Sequence, residues 1–398
     1  MPSSPPRRPL NVLQIIPALE TGGAERTTID IAAALHARGD RALVASRGGR
    51  MEGELEAAGG TLMRLDAAAK HPLALATNVL AIMRLIRRER IDLVHARSRA
   101  PAWSALIACR RTGTPFVTTY HGIYNEDGAA KRFYNSVMAR GDVVIANSQY
   151  TADLVRQRYG TPTGRIAVIP RGTDLAAFSR EAVDGARRTA LRREWGVSED
   201  EVIVLNVARL TGWKGQSAVI AAAASPRLAE NAGLVFVLAG DDQGRSSYRA
   251  DLERQIAKLR MEGRVRLVGH CDDVPAALSL ASVAVVASTE PEAFGRAAVE
   301  AQAMGVPLMA TAIGAAAETV LAPPLVDASA RTGWLIPPGD AAALAAVIAE
   351  ALAMPPAERA ALASRARRQA ERFSTAAMQT ATLAEYDRLL NQPQRKDS

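Results

Sequence analysis

Short apolar runs alternate with longer amphipathic segments along almost the whole of this 398-residue chain. In the first half, seven runs predict buried strands: Asn11–Ile16, Arg41–Ala45, Thr61–Leu65, Asp92–His95, Pro115–Tyr120, Asp142–Ala146 and Ile166–Pro170. Six more follow: Val202–Val207, Leu234–Ala239, Val265–Gly269, Val283–Ala287, Val306–Ala310 and Thr332–Pro337. Near-continuous apolar runs bounded by Gly, Pro, Asn or Asp are the pattern of strands covered on both faces, as in parallel sheets. Helical spacing fills the intervals, up to about Arg38 and then across Pro72–Arg90, Gln149–Tyr159, Ser246–Met261, Arg296–Met304, Ala341–Leu352, Pro356–Phe373 and Ser374–Leu390. Ser148 is placed to cap the third of these, and Gly305 with Pro307 to stop the fifth. Strand and helix in strict alternation predict two successive α/β units with parallel sheets. Ser179–Trp195 is charged and free of strand pattern, so it reads as a connection with a first helix. The expected division is 1–178, a linker at 179–199, a second domain at 200–373 and a final helix at 374–391.

Charge changes this picture only in the first half. Residues 1–180 carry 25 Lys and Arg against 15 Asp and Glu, whereas residues 181–398 carry 24 against 26. A basic first half suits an anionic membrane face or an anionic acceptor. Nucleic acid is not expected, because no reading element with interleaved aromatics accompanies the charge. An Arg-rich composition that simply follows the coding sequence explains the same excess. The two cysteines, Cys109 and Cys271, lie far apart in apolar surroundings and read as reduced thiols. Met1–Pro9 reads as a short tail rather than a leader, and no apolar run approaches the roughly 18 residues a membrane span needs. The expected location is the cytoplasm, with a peripheral place on the inner membrane face if the basic half binds lipid.

Candidate chemistry concentrates in Ala287–Thr311, where a strand, a polar loop, a helix and a second strand follow one another. A helix start at the end of a parallel strand presents free N–H groups and the positive end of a dipole, which suits phosphate. Gly295 lets a ligand approach the backbone. Glu292 before the helix and Glu300 within it cannot both face phosphate, but both can accept hydrogen bonds from hydroxyls on either side of a diphosphate. A nucleotide sugar has that order of groups. Arg209 and Lys214 flank a Gly-containing turn before another helix, where two cations are unfavourable unless an anion lies between them. Gly22-Gly23 forms a turn between the first strand and helix, open to close approach. Arg97 and Arg99 follow the fourth strand, at the edge where open α/β sheets place ligands, and are candidates for an anionic acceptor group. His121, one of five histidines, ends the fifth strand.

The sequence Glu292–Ala293–Phe294–Gly295 with Glu300, followed by Ala301-x-Ala303-Met304-Gly305-x-Pro307, resembles the E-x7-E signature of retaining glycosyltransferases of GT-B fold, in the large family 4 group. The resemblance extends over nearly the whole chain. It implies two facing Rossmann-like domains with the last helix returning to the first. It gives Glu292 the donor sugar hydroxyls, Glu300 the ribose, and the amides around Phe294, Gly295 and Arg296 the sugar and phosphate. Arg209 and Lys214 then neutralise the departing diphosphate. Gly22, Gly23 and His121 face the donor, and the backbone at Gly269-His270 cradles the base. The implied donor is a nucleotide-diphosphate sugar, UDP-sugar foremost, without cofactor or metal. The implied acceptor is a glycan or lipid-linked molecule of lipopolysaccharide or polysaccharide synthesis. Where the family has a second glycine after Gly314, this chain has Ala315, which leaves that loop's shape open. A sugar-nucleotide epimerase on the same fold and a non-catalytic nucleotide- or nucleic-acid-binding protein remain as alternatives. The first does not need the Glu292/Glu300 pattern. The second does not need both His121 and the Arg209–Lys214 pair.

Overall fold

A computed structural model of the chain describes residues 8–391, except 21, 69–70, 232 and 245. Most of the expected tail Met1–Pro9 therefore lies outside the described residues. The chain divides into two compact units, Met1–Gly172 with Thr375–Ser398, and Thr173–Ser374.

The first unit is built on seven strands: β1 Asn11–Ile15, β2 Arg41–Ser46, β3 Gly60–Arg64, β4 Leu93–Ala96, β5 Phe116–Tyr120, β6 Val143–Ala146 and β7 Ile166–Val168. All pair parallel, in the order β3-β2-β1-β4-β5-β6-β7. The second unit has six: β8 Val202–Val207, β9 Leu234–Ala239, β10 Val265–Gly269, β11 Ala281–Val286, β12 Leu308–Thr311 and β13 Trp334–Ile336. These are also all parallel, in the order β10-β9-β8-β11-β12-β13. The strands fall within a residue or two of the sequence expectation, because a strand covered by helices on both faces must be apolar throughout. Leu13, Leu43, Val94 and Val144 are fully buried in the first sheet, and Val204, Phe236 and Val283 in the second.

Strand order reverses once in each sheet, between β1 and β4 and between β8 and β11. At such a point the loops leaving two adjacent strands turn to opposite faces, and a crevice opens at their carboxyl ends. The fold therefore designates four loops in advance: those after β1, β4, β8 and β11.

Helix limits follow local chemistry. Ser148 Oγ accepts from Thr151 N at 3.0 Å and starts Gln149–Tyr159, which ends at Gly160 in the left-handed region. Helix Thr375–Asn391 belongs to the first unit and lies along helix Gly23–Ala37. It buries Met378, Leu383 and Tyr386, and Arg38 Nη1 donates to Asp387 Oδ2 at 2.8 Å.

The expected linker at 179–199 is corrected. Helix Gly185–Trp195, capped by Asp184, is part of the second unit. Val183, Leu191 and Trp195 are buried in its core, and the helix packs on Val274–Leu280. The many arginines around them face solvent and disguise the i, i+4 apolar pair. Unit 2 thus begins at Thr173, where Thr173 N donates to Phe373 O at 2.8 Å beside the segment's own exit.

The burial of Trp195 gives a direct check. Trp195→Ala should destabilise the second unit by about 3–5 kcal/mol, the usual cost of deleting a buried aromatic. Urea unfolding followed by circular dichroism should show a lower midpoint for one transition. A solvated linker residue would leave it within about 0.5 kcal/mol of wild type.

Candidate functional site

In the second unit, the loops after β8 and β11 are bound to each other. Thr289 N donates to Trp213 O at 2.7 Å. Gly215, in the left-handed region, sits so close to Ala287 that a Cβ would lie 1.8 Å from its carbonyl oxygen. Glycine is required there on both counts. The close approach brings Lys214 Nζ to 2.7 Å from Glu292 Oε1, with both side chains mostly buried. Ser288 Oγ donates to the same carboxylate oxygen, and the Lys214 ammonium lies 4.2 Å from the centre of the Trp213 ring. Two residues assigned separately from sequence are thus direct partners. Neither Ser288 nor Trp213 was singled out, since nothing local in the sequence marks them.

The backbone of Glu292 is fixed as firmly as its side chain. It pairs with Gly314, and Ala315 N donates to Glu292 O at 3.0 Å. A Cβ on Gly314 would meet that oxygen at 2.5 Å, so this glycine is needed. Ala315 has φ −83°, which any residue adopts, so alanine at the second position costs no strain.

Helix Arg296–Ala303 starts at Gly295, in the left-handed region with φ +81° and no side-chain cap. Ala298 N bonds back to Gly295 O at 3.0 Å, and no side chain caps the amides before it. Glu300 is buried, and Arg296 Nη2 donates to Glu300 Oε1 at 3.0 Å. Burial raises the Glu300 pKa, against the opposing pull of Arg296. The Phe294 ring is buried edge-on against Phe373 at 5.5 Å, so only its backbone faces the loop. Arg209 is exposed, and its Nη1 donates to Gln243 Oε1 at 3.3 Å in the loop after β9. The two cations are thus not held together: Lys214 is committed to Glu292, while Arg209 stands at the rim. His270 is exposed beside Asp272, 3.0 Å away, next to Gly269 at φ +80°. Among the described residues, no group of three His, Cys, Asp or Glu is placed to hold a metal ion.

In the first unit, Gly22 precedes helix Gly23–Ala37 without a side-chain cap, and Glu25 folds back over it, where a Cβ would meet Glu25 Oε2 at 2.5 Å. Residue 21 of this loop is outside the described residues. His121 follows β5, and its carbonyl accepts from Asn147 Nδ2 and from Arg171 Nη2, both at 3.1 Å. Both ring nitrogens are buried without a hydrogen-bond partner. Burial, with the charges of Arg171 and Arg97, holds its pKa well below the ordinary histidine value. His121 is therefore a neutral imidazole with hydrogen-bonding capacity unused. Nothing local in the sequence marks Asn147 and Arg171, which lie 26 and 50 residues from His121.

The acceptor reading of Arg97 is corrected. The side chain is buried, with Nε donating to Gln14 Oε1 at 3.0 Å and Nη1 near Thr119 Oγ1 at 3.5 Å. It sits beneath the loops rather than on them, and a ligand on the surface does not reach it. Arg99 is also engaged, donating to Asn135 Oδ1 at 2.8 Å with its guanidinium 4.2 Å from the Tyr124 ring centre. Around Arg97 a buried network continues: His95 Nε2 meets Thr119 Oγ1 at 2.7 Å, and His95 Nδ1 meets Tyr386 Oη at 2.6 Å. Cys109 and Cys271 are buried and free, with the Cys271 thiol pushed up to about 11 by burial.

Comparison with known proteins agrees with this fold. Residues 21–177 match the family described as Glycosyltransferase Family 4, and residues 187–369 match Glycosyl transferases group 1. Two relatives named D-inositol 3-phosphate glycosyltransferase come from Salinispora arenicola and Streptomyces avermitilis. The first is 32% identical over 244 residues, covering 56% of this chain and 54% of the relative. The second is 31% identical over 313 residues, covering 73% and 64%. The chain thus spans between about half and two thirds of the length of these curated relatives. Among solved structures, a glycosyltransferase from Rickettsia africae superposes with a TM-score of 0.87 at 29% identity, over 97% of this chain and 100% of that one. Anabaena HepE, in complex with UDP and glucose, gives 0.78 at 26% identity, over 95% and 100%.

Two measurements follow. The raised pKa of Glu300 means that the unfolded chain loses its proton at lower pH than the folded one, so stability falls as pH rises from the ordinary carboxyl value of 4.5 toward the folded value. Glu300→Gln should accordingly raise the melting temperature at pH 7, and the gain should vanish below about pH 4. His95 and His121 both have depressed pKa values from burial, so the unfolded chain takes up protons first as pH falls below 6.5. The first unit should lose stability between about pH 6.5 and 5 with net proton uptake on unfolding, measurable by urea midpoints across that range.

Proposed function

Because the chain belongs to the glycosyltransferases of the GT-B fold, we propose that it moves a sugar, with retention at the anomeric carbon, from a nucleoside-diphosphate sugar to an acceptor hydroxyl. The observation that carries this reading is the Lys214–Glu292 contact beside the uncapped start of helix Arg296–Ala303. An ammonium, a carboxylate and free amides at one switch point match the phosphate and hydroxyl groups of such a donor, in neighbouring places.

On this reading the ion pair is exchanged on binding. The donor diphosphate takes Lys214 and the helix-start amides, with Arg209 closing from the rim, while sugar hydroxyls take Glu292 and Glu300 holds the ribose. The separation of charge that this needs is compensated by the ligand, so donor groups replace protein partners one for one. In the transfer step the bond from the anomeric carbon to the phosphate oxygen breaks and the bond to the acceptor oxygen forms on the same face. The acceptor proton passes to the leaving phosphate. The negative charge that develops there falls on the groups already placed to receive it, which is where preorganised dipoles and cations lower a barrier most. Metal is not required in this scheme.

UDP is the proposed nucleotide, supported by the UDP bound to Anabaena HepE. A glycan or lipid-linked acceptor in lipopolysaccharide or polysaccharide synthesis, on the cytoplasmic side of the membrane, fits the basic first half. No single described helix is long and apolar enough to cross a membrane. The name shared by the curated relatives favours a second acceptor reading, a phosphorylated cyclitol.

Thermal shift with UDP, GDP, ADP and their sugars tests the donor side. One nucleoside diphosphate should raise the melting temperature of the wild type, and Arg209→Ala/Lys214→Ala should abolish that rise. Absence of any shift at millimolar nucleotide would sink the donor assignment. With the nucleotide fixed, release of nucleoside diphosphate in the presence of inositol phosphate or of lipid-linked glycan separates the two acceptor readings.

A further inference from the structure

We propose that the outer face of the first unit, formed by helices Pro72–Glu89, Arg99–Thr112 and Ala129–Asn135, is a docking surface for an anionic phospholipid bilayer. The inference stands apart from the transfer reaction and uses none of the residues assigned to it above, Arg99 excepted, whose guanidinium is held by Asn135.

Three large apolar side chains on this face are left in water: Leu73 is 73% exposed, Leu80 51% and Phe133 58%. At 100° per residue, Leu73, Leu80, Arg84, Arg87 and Arg88 fall within an arc of about 100° on helix Pro72–Glu89. The opposite side of that helix buries Val79, Ile82 and Ile86 in the core. The outward stripe is thus leucine at one end and arginine at the other, with no acid. The sequences of the three helices contain one acidic residue, Glu89, and it is held by Arg41 and Arg88. Exposed Arg110, Arg111, Lys131 and Arg132 add to the arginines of the stripe.

Helix Arg99–Thr112 is joined to each of the other two. Ser104 Oγ donates to Leu75 O at 3.4 Å, and Trp103 Nε1 donates to Tyr134 O at 3.1 Å. Phe133 stacks on Trp103 with ring centres 5.0 Å apart, and the Arg140 guanidinium lies 5.4 Å from the Phe133 ring centre. Arg140 also lines a cavity of about 560 Å³, together with Arg110 and Arg165. Arg165 is held by Gly141 O, and Arg110 is paired with Asp142 at 3.2 Å. An exposed aromatic ring and a cavity walled by three arginines therefore share one residue. That combination suits a lipid, whose phosphate enters among the cations while apolar side chains reach the acyl boundary. A soluble polyanion would use the arginines but gives no role to Leu73 and Leu80.

The test is co-sedimentation of the full chain with vesicles of phosphatidylcholine alone and with added phosphatidylglycerol, without nucleotide. Binding is expected only to the anionic vesicles and should weaken with salt. Two variants are compared: Leu73→Ser/Leu80→Ser/Phe133→Ser and Arg84→Ser/Arg87→Ser/Arg88→Ser. The arginine variant should bind about a hundredfold more weakly, at roughly tenfold or less per surface arginine. The apolar variant should also lose binding, with circular dichroism and nucleotide-induced thermal shift unchanged in both. The proposal is overturned if wild type ignores anionic vesicles, if heparin binds while vesicles do not, or if the apolar variant binds as wild type does. Because no donor is present, a negative result here leaves the sugar-transfer reading where it was.

Discussion

Everything in both units depends on parallel pairing. Each parallel strand must be followed by a crossover long enough to return the chain to the same starting edge, and a helix is the economical way to do it. All strand carboxyl ends therefore gather on one edge, and every helix that follows begins there with its unpaired amides. Reversal of strand order beside β1 and again beside β8 parts neighbouring loops at that edge. The Gly22-Gly23 loop, the Lys214 turn and the Glu292 loop sit where they do for this reason. The chemistry of each loop is local, but its address is set by the sheet.

Within the second unit the Lys214–Glu292 pair shows how two mostly buried charges compensate each other. An unpaired carboxylate or ammonium with little exposure would carry a large desolvation cost. Paired with each other, and with Ser288 on the same oxygen, the two charges are stable at rest. The glycines at 215 and 314 hold the two backbones close enough for the pair to form. His121 in the first unit is the opposite case: it is buried, neutral and without partners on its ring, while its backbone is gripped by Asn147 and Arg171. One site is held by internal compensation and the other by anchoring around a group left unsatisfied.

Sequence patterns carried the thirteen strands, the cap at Ser148 and the neighbourhood of Glu292, since each depends on residues within a few positions. What escaped them depends on distant partners. The Lys214–Glu292 contact joins residues 78 apart, and Arg97 finds Gln14 across 83. An arginine at a strand end reads as solvated because burying one without a carboxylate is uncommon. Here the oxygens of Gln14 and Thr119 hold it, and against the effect of burial the charge of Asp30 favours its protonated form. The segment 179–199 misled for a related reason: its charges outnumber its apolar residues, but Val183, Leu191 and Trp195 fall on one side and reach the core.

The second unit enters and leaves the first at neighbouring points, Gly172 and Thr375, so close that a Cβ on Gly172 would lie 2.6 Å from the Thr375 Cα. The helix that begins there supplies Met378, Leu383 and Tyr386 to the first unit's core. During synthesis the ribosome therefore releases the whole inserted unit before the host unit has all its parts. The first half waits, with part of its core uncovered and His95 lacking Tyr386, until helix Thr375–Asn391 emerges. Completion runs in the reverse of reading order, and the helix made after the inserted unit closes the unit that was begun before it.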